Sequence, residues 1–176
     1  MSKKIGKVLK IITSALVAVV VVFAVLLVGV RLFGLQVYTV LSGSMEPNYK
    51  TGSLIYVKDI ESSELEVGDV ITFKLSENTT ATHRIIEIVA DEENSNDISF
   101  KTKGDANNAP DASLVDVDDI VGTPIFTIPY LGYIANFIQN PPGMYIAIIL
   151  SVVLILVVFF VDTLTDDKEE TTKVEE

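Results

Sequence analysis

Ser44 stands in the run Val40-Leu41-Ser42-Gly43-Ser44-Met45-Glu46-Pro47, and the chain's single histidine, His83, follows in Thr82-His83-Arg84-Ile85. A serine hydroxyl is a weak nucleophile until a neighbouring base takes its proton. Imidazole is the side chain best suited to do that around neutral pH, and here only one is present. A third group, usually a carboxylate, fixes the imidazole tautomer and stabilises the imidazolium. The candidates lie in Lys103-Gly104-Asp105-Ala106-Asn107-Asn108-Ala109-Pro110-Asp111. Gly43 lets the backbone beside Ser44 approach a substrate closely, and Pro47 with Gly52 turns the chain so that the hydroxyl is presented at a surface. The chemistry indicated is that of a serine hydrolase.

A serine–lysine pair would need only a desolvated amine. Lys74, Lys101 and Lys103 flank the relevant segments, and nothing in their spacing selects one as a base. The chain has no cysteine, so neither a disulfide nor a thiol nucleophile is available. A lone histidine without cysteine argues against a catalytic zinc site, and no metal or cofactor is expected.

The elements that must position these groups are of two kinds. Lys10 and Arg31 bracket twenty uncharged residues, Ile11 to Val30, and a second uncharged apolar segment runs from Gly143 to Val161. Twenty helical residues rise about 30 Å, one hydrocarbon thickness. The sequence therefore predicts a transmembrane anchor over residues 11–33 and a second span over 143–161. The apolar core of the first is longer than the ~7 to 15 residues of a signal peptide, and Val28-Gly29-Val30-Arg31-Leu32 offers no clear Ala-x-Ala site, so it reads as a retained anchor. Lys3, Lys4, Lys7 and Lys10 precede it. The positive-inside rule then predicts a cytoplasmic N-terminus, residues 1–10, an extracytoplasmic domain over 34–142, and a cytoplasmic acidic tail, 162–176.

Within 34–142, the segments Val37 to Leu41, Ser53 to Lys58, Asp69 to Leu75, Thr82 to Val89, Ile98 to Lys103 and Ile120 to Ile128 are short, rich in β-branched or aromatic residues, and separated by turn signals such as Pro47-Asn48, Val67-Gly68-Asp69 and Asn94-Ser95-Asn96-Asp97. A mostly-β domain flanked by two transmembrane helices is expected. Phe126, Tyr130, Tyr133 and Phe137, just before the second span, suit either the headgroup level or the domain core.

The formal net charge of −11 is distributed as +5 up to Arg31, −11 over residues 34–142 and −5 beyond. An acidic domain will not seek nucleic acid. Asp91-Glu92-Glu93 reads as a solvated loop, and the Thr-containing acidic tail as disordered.

In order, Ser42-Gly43-Ser44-Met45-Glu46-Pro47, then Thr82-His83-Arg84, then Lys103-Gly104-Asp105 through Asp111 resemble the signature of type I signal peptidases. More narrowly they are similar to the endoplasmic-reticulum type, which uses histidine where the common bacterial type uses lysine, and to the form of that type found in spore-forming Gram-positive bacteria. The resemblance runs from about Tyr38 to Tyr133. It implies a signal-peptidase-like β catalytic domain acting on signal-peptide-bearing secretory preproteins at the outer surface of a lipid bilayer. By position it implies Ser44 as nucleophile, His83 as general base, and Ser42 with the Ser44 backbone N–H as oxyanion donors. Asp111 matches the carboxylate usually assigned to the triad, and Asp105 a second acidic position, so both stand as candidates for orienting His83. An extended precursor would add along a strand edge near Ser44, with pockets selecting small residues one and three positions before the cut. Met45 and Val40 are expected in the apolar wall of the substrate site. The alternative function is a membrane-bound interaction or regulatory subunit acting through the tail from Asp166.

Overall fold

The computed structural model describes residues 3–77, 79–90 and 98–173, so the expected turn Asn94-Ser95-Asn96-Asp97 and the run Asp91-Glu92-Glu93 lie outside the described residues. The chain divides into two compact units, residues 30–136 and the two terminal segments 1–29 and 137–176.

The terminal unit holds two long helices, α1 (Lys3–Leu27) and α3 (Gly143–Lys173), which contact each other. Their stretches Ile5–Leu27 and Gly143–Val161 are long and apolar enough to cross a membrane. Their side chains are apolar all round and mostly uncovered, with Val19 and Ile149 more than half exposed, the pattern of a helix solvated by something other than water. The α1 helix begins earlier than the sequence suggested and ends at Leu27, after which Gly29–Phe33 tightens into a 3-10 turn. The acidic tail, expected to be disordered, instead continues α3 to Lys173. No glycine or proline follows Gly143, and extending an existing helix costs far less than nucleating one.

The other unit is the expected mostly-β domain. Its strands are β1 (Leu35–Thr39), β2 (Leu54–Lys58), β3 (Val70–Ser76), β4 (Thr79–Ala90), β5 (Ile98–Lys103), β6 (Val115–Asp116) and β7 (Ile120–Ile128). They form one antiparallel sheet in the order β1-β2-β7-β3-β4-β5-β6. The last strand in sequence thus sits in the middle, its Thr123–Ile128 half against β2 and its Ile120–Gly122 half against β3. Gly122 makes this possible. It has φ +142, and a Cβ there would stand 2.1 Å from the carbonyl oxygen of Lys58.

Alternation along the strands divides two apolar clusters between the ends of the sheet. Leu65, Ile71, Phe73, Ile85, Phe100 and Val115 pack together under β3, β4 and β5. Ile55, Val57 and Val121 form the second, with Tyr38, Val40 and Tyr49 against them. Short helix α2 (Leu131–Gln139) follows Tyr130, whose φ is +64. Its Gly132 lies so close to the start of β2 that a Cβ would be 2.5 Å from the carbonyl oxygen of Ser53. The apolar residues of this segment suit the headgroup level or the domain core alike, so the sequence assigns it no element.

Candidate active site

Ser44 lies in the loop joining β1 to β2. The neck of that loop is closed by two backbone hydrogen bonds, Val40 N–H to the Ser53 carbonyl at 2.9 Å and Gly52 N–H to the Val40 carbonyl at 2.8 Å. Gly52 has φ +79, a conformation few side chains tolerate. Inside the loop, Glu46 N–H reaches the Gly43 carbonyl at 3.0 Å and Tyr49 N–H the Met45 carbonyl at 2.9 Å. Glu46 accepts at 3.3 Å from both the N–H and the hydroxyl of Thr51. These bonds brace the loop that carries the hydroxyl from within.

His83 sits on β4 opposite Ile71 of β3. Its ring packs edge-on to Phe73, with centroids 6.2 Å apart. Nε2 lies 3.1 Å from Ser44 Oγ, and Nδ1 lies 2.6 Å from Oδ2 of Asp111. With Nδ1–H donating to the carboxylate, Nε2 is left as an acceptor aimed at the serine hydroxyl. The Ser44 hydroxyl has one other partner among the described residues, Ser42 Oγ at 3.2 Å. Among the described residues, none of Lys74, Lys101 and Lys103 is hydrogen-bonded to it.

The two carboxylates of the third block are separated by their partners. Asp111 returns from the loop after β5, where its N–H bonds the Thr102 carbonyl at 2.9 Å and its Oδ2 accepts the Thr102 hydroxyl at 2.6 Å. Asp105 points elsewhere. Arg84 grips it in a fork, Nε to Oδ1 at 2.8 Å and Nη2 to Oδ2 at 2.7 Å, while Asn48 Nδ2 donates to Oδ2 at 2.7 Å. Hydrogen bonding to Arg84, joined by Asn48, holds the Asp105 carboxyl below the usual carboxylate range despite its partial burial. The same fork raises Arg84 above its ordinary value. Asp105 thus ties the loop of Ser44, through Asn48, to the residue that follows His83.

Gly104 brings the third block against the first. A Cβ there would lie 2.6 Å from the Ser44 carbonyl oxygen, which also accepts the Ala106 N–H at 2.8 Å. By contrast a Cβ on Gly43 would meet nothing closer than Glu46 Cδ at 3.5 Å. Of these two glycines, Gly104 is the one that close packing requires.

Of the other expected site residues, Met45 is buried, at 2% exposure, beneath the Ser44 loop, and its sulfur accepts the Asp105 N–H at 3.4 Å. Val40 packs against the cluster of Ile55, Val57 and Val121. Thr102, Arg84 and Asn48 were not singled out from the sequence. Arg84 and Thr102 lie within or beside the quoted blocks, but their roles depend on partners 9 to 21 residues away. Beside the site an open cavity of about 390 Å³ is lined by Phe73, Leu75, Ala81, His83, Asp111 and Leu114.

The signal peptidase family, peptidase S26, matches residues 12–97, a range that takes in both Ser44 and His83. Residues 12–97 are thus similar to a peptidase S26 domain. Its similarity to curated proteins includes signal peptidase I W of Bacillus subtilis, 48% identical over 89 residues, which cover 50% of the chain and 45% of that protein. It also includes the human signal peptidase complex catalytic subunit SEC11C, 29% identical over 121 residues, 64% of the chain and 62% of the relative. A SEC11 subunit from the fungus Colletotrichum graminicola is 28% identical over 122 residues. The chain thus spans about half to two thirds of the length of these relatives. The S26 match stops before Asp105 and Asp111, so the placement of the two carboxylates rests on geometry alone.

Proposed function

We propose that this protein is a membrane-bound serine endopeptidase that removes signal peptides from exported preproteins. The observation that carries this reading is the chain of contacts from Ser44 Oγ through His83 to Asp111, within a domain similar to the peptidase S26 family. In the proposed mechanism His83 Nε2 takes the Ser44 proton as Oγ attacks the scissile carbonyl. Asp111 holds the imidazole by Nδ1 and stabilises its charged form. Negative charge developing on the carbonyl oxygen is met by the Ser44 backbone N–H and the hydroxyl of Ser42, donors of the kind worth ~10² to 10³ in rate. His83 then protonates the leaving amine. The acyl ester on Ser44 is released by a water molecule whose proton His83 takes, which regenerates the serine.

Residues 5–27 and 143–161 are the proposed spans. Lysines ahead of the first support a cytoplasmic N-terminus and a β domain outside, at the bilayer surface where an exported precursor emerges. The substrate is an extended segment with small residues before the cut, a preference carried by likeness to signal peptidases.

The deciding experiment is cleavage of a synthetic precursor peptide bearing Ala-x-Ala, by membrane-reconstituted wild type, Ser44→Ala, His83→Ala and His83→Lys proteins. Cleavage by wild type alone is expected. Retained cleavage by Ser44→Ala would overturn the reading, and retained cleavage by His83→Ala would move the base to a lysine.

A further inference from the structure

Thr102 is fully buried, at 0% exposure, on β5 opposite Ile85 of β4. A hydroxyl taken out of water has to find a partner. Its partner is Asp111 Oδ2, at 2.6 Å, the same oxygen that faces His83 Nδ1 at 2.6 Å. The Thr102 carbonyl also accepts the Asp111 N–H at 2.9 Å. One residue therefore closes the neck of the 103–110 loop and holds the acid by both backbone and side chain. The carboxylate cannot rotate away from the imidazole without giving up this second donor.

We propose that Thr102 is a positioning residue for His83, acting through Asp111. This rests on the peptidase reading above and adds to it the group that orients the acid. Two effects follow from the O–H donor. It fixes the carboxylate in the orientation that receives Nδ1–H, so the imidazole is aligned before substrate arrives. Its positive end also points at Oδ2 beside the ring, which weakens the pull of the carboxylate on a protonated imidazole. The other charged groups around the pair are Lys74 of β3 and Asp119 ahead of β7, which line the same cavity, and Asp105 with Arg84, which are forked together. A substitution at Thr102 leaves all four in place.

Thr102→Val keeps the shape and removes the donor, whereas Thr102→Ser keeps the donor. His83 is the only histidine, so NMR of the full chain in detergent micelles, labelled with ¹⁵N-histidine, reports its imidazole alone. The Thr102→Val protein is expected to titrate at higher pH than wild type, because the positive end of the dipole is gone, and Thr102→Ser to titrate as wild type. With the precursor peptide, Thr102→Val is expected to lower kcat about tenfold with KM kept, the scale of a lost hydrogen bond to a charged group. The acid limb of its rate profile should move up with the titration. A titration unchanged in Thr102→Val, or equal losses in the Val and Ser variants, would overturn the proposal and leave Thr102 as packing. Thermal unfolding checks that each variant is folded. Thr102→Cys, whose thiol is a weak donor, replaces Val if that variant does not fold. Because the titration needs no turnover, it decides the coupling even if Ser44→Ala proves active and the peptidase reading falls.

Discussion

Gly104 stands against the carbonyl of Ser44 so closely that a Cβ would come within 2.6 Å of that oxygen. The oxygen belongs to the backbone of the proposed nucleophile and cannot swing aside as a side chain would. Gly104→Ala is expected to push the 104–111 loop outward, breaking the Ala106-to-Ser44 hydrogen bond and drawing Asp111 off His83. Cleavage should fall by roughly 10² or more, since misplacements near 1 Å have effects of that size. Gly43→Ala, which meets only ordinary contacts, should stay folded with Tm close to wild type. Peptide cleavage and Tm, measured side by side, check the pair.

The two acids should fail differently. Asp111→Asn replaces the acceptor at Nδ1 with an amide that favours the wrong tautomer, and kcat should drop by roughly 10³ to 10⁴ with the fold intact. Asp105→Asn breaks the fork with Arg84, and its loss should appear first as a lower Tm. Near-normal cleavage by Asp111→Asn together with inactivity of a fully folded Asp105→Asn would reverse the assignment.

Asp105 also predicts a pH dependence of stability. Arg84 depresses its carboxyl in the folded state, so the unfolded chain binds the proton first as pH falls. Its stabilising contribution is complete above the ordinary carboxylate range, near ~4, and is lost as pH drops through the lower folded value. Thermal unfolding of wild type should weaken over that acid window. The Asp105→Asn protein should show a shallower dependence there.

Activity has a separate pH requirement. A base accepts a proton only when it carries none, so cleavage should decline on the acid side as imidazole becomes charged. A flat rate profile from about pH 5 to 8 would contradict His83 as base.

The larger apolar cluster centres on Phe100, which is fully buried. Phe100→Ala should cost about 3 to 5 kcal/mol, read by denaturant unfolding of protein held in a fixed detergent. A loss under about 1 kcal/mol would mean that the cluster collapses around the void.

The reach of the sequence differed between these features for physical reasons. Strand positions could be read because β-branched runs and turn residues are local signals, and five of the six expected segments, β2 to β5 and β7, overlap observed strands closely. The first begins two residues early, at Leu35, and leaves Val40 and Leu41 to the Ser44 loop. Strand order was not legible, since the place of β7 between β2 and β3 depends on the close approach of Gly122 to Lys58. His83 stood out as the single histidine, and Ser44 by its place in the Ser42-Gly43-Ser44-Met45-Glu46-Pro47 run. Choosing between Asp105 and Asp111 required knowing that Arg84 points at one and Thr102 at the other, and side-chain direction at that range is set only by the assembled sheet.

The central position of β7 also has a consequence for the order of events during synthesis. In the sheet, the β1–β2 hairpin that carries Ser44 is joined to the β3–β6 strands that carry His83 only through β7. A growing chain that has passed Asp111 but not yet reached Ile128 holds every reacting group and lacks the strand that unites their supports. Within the sheet, the hydroxyl and the imidazole therefore share one continuous scaffold only once the chain has reached β7.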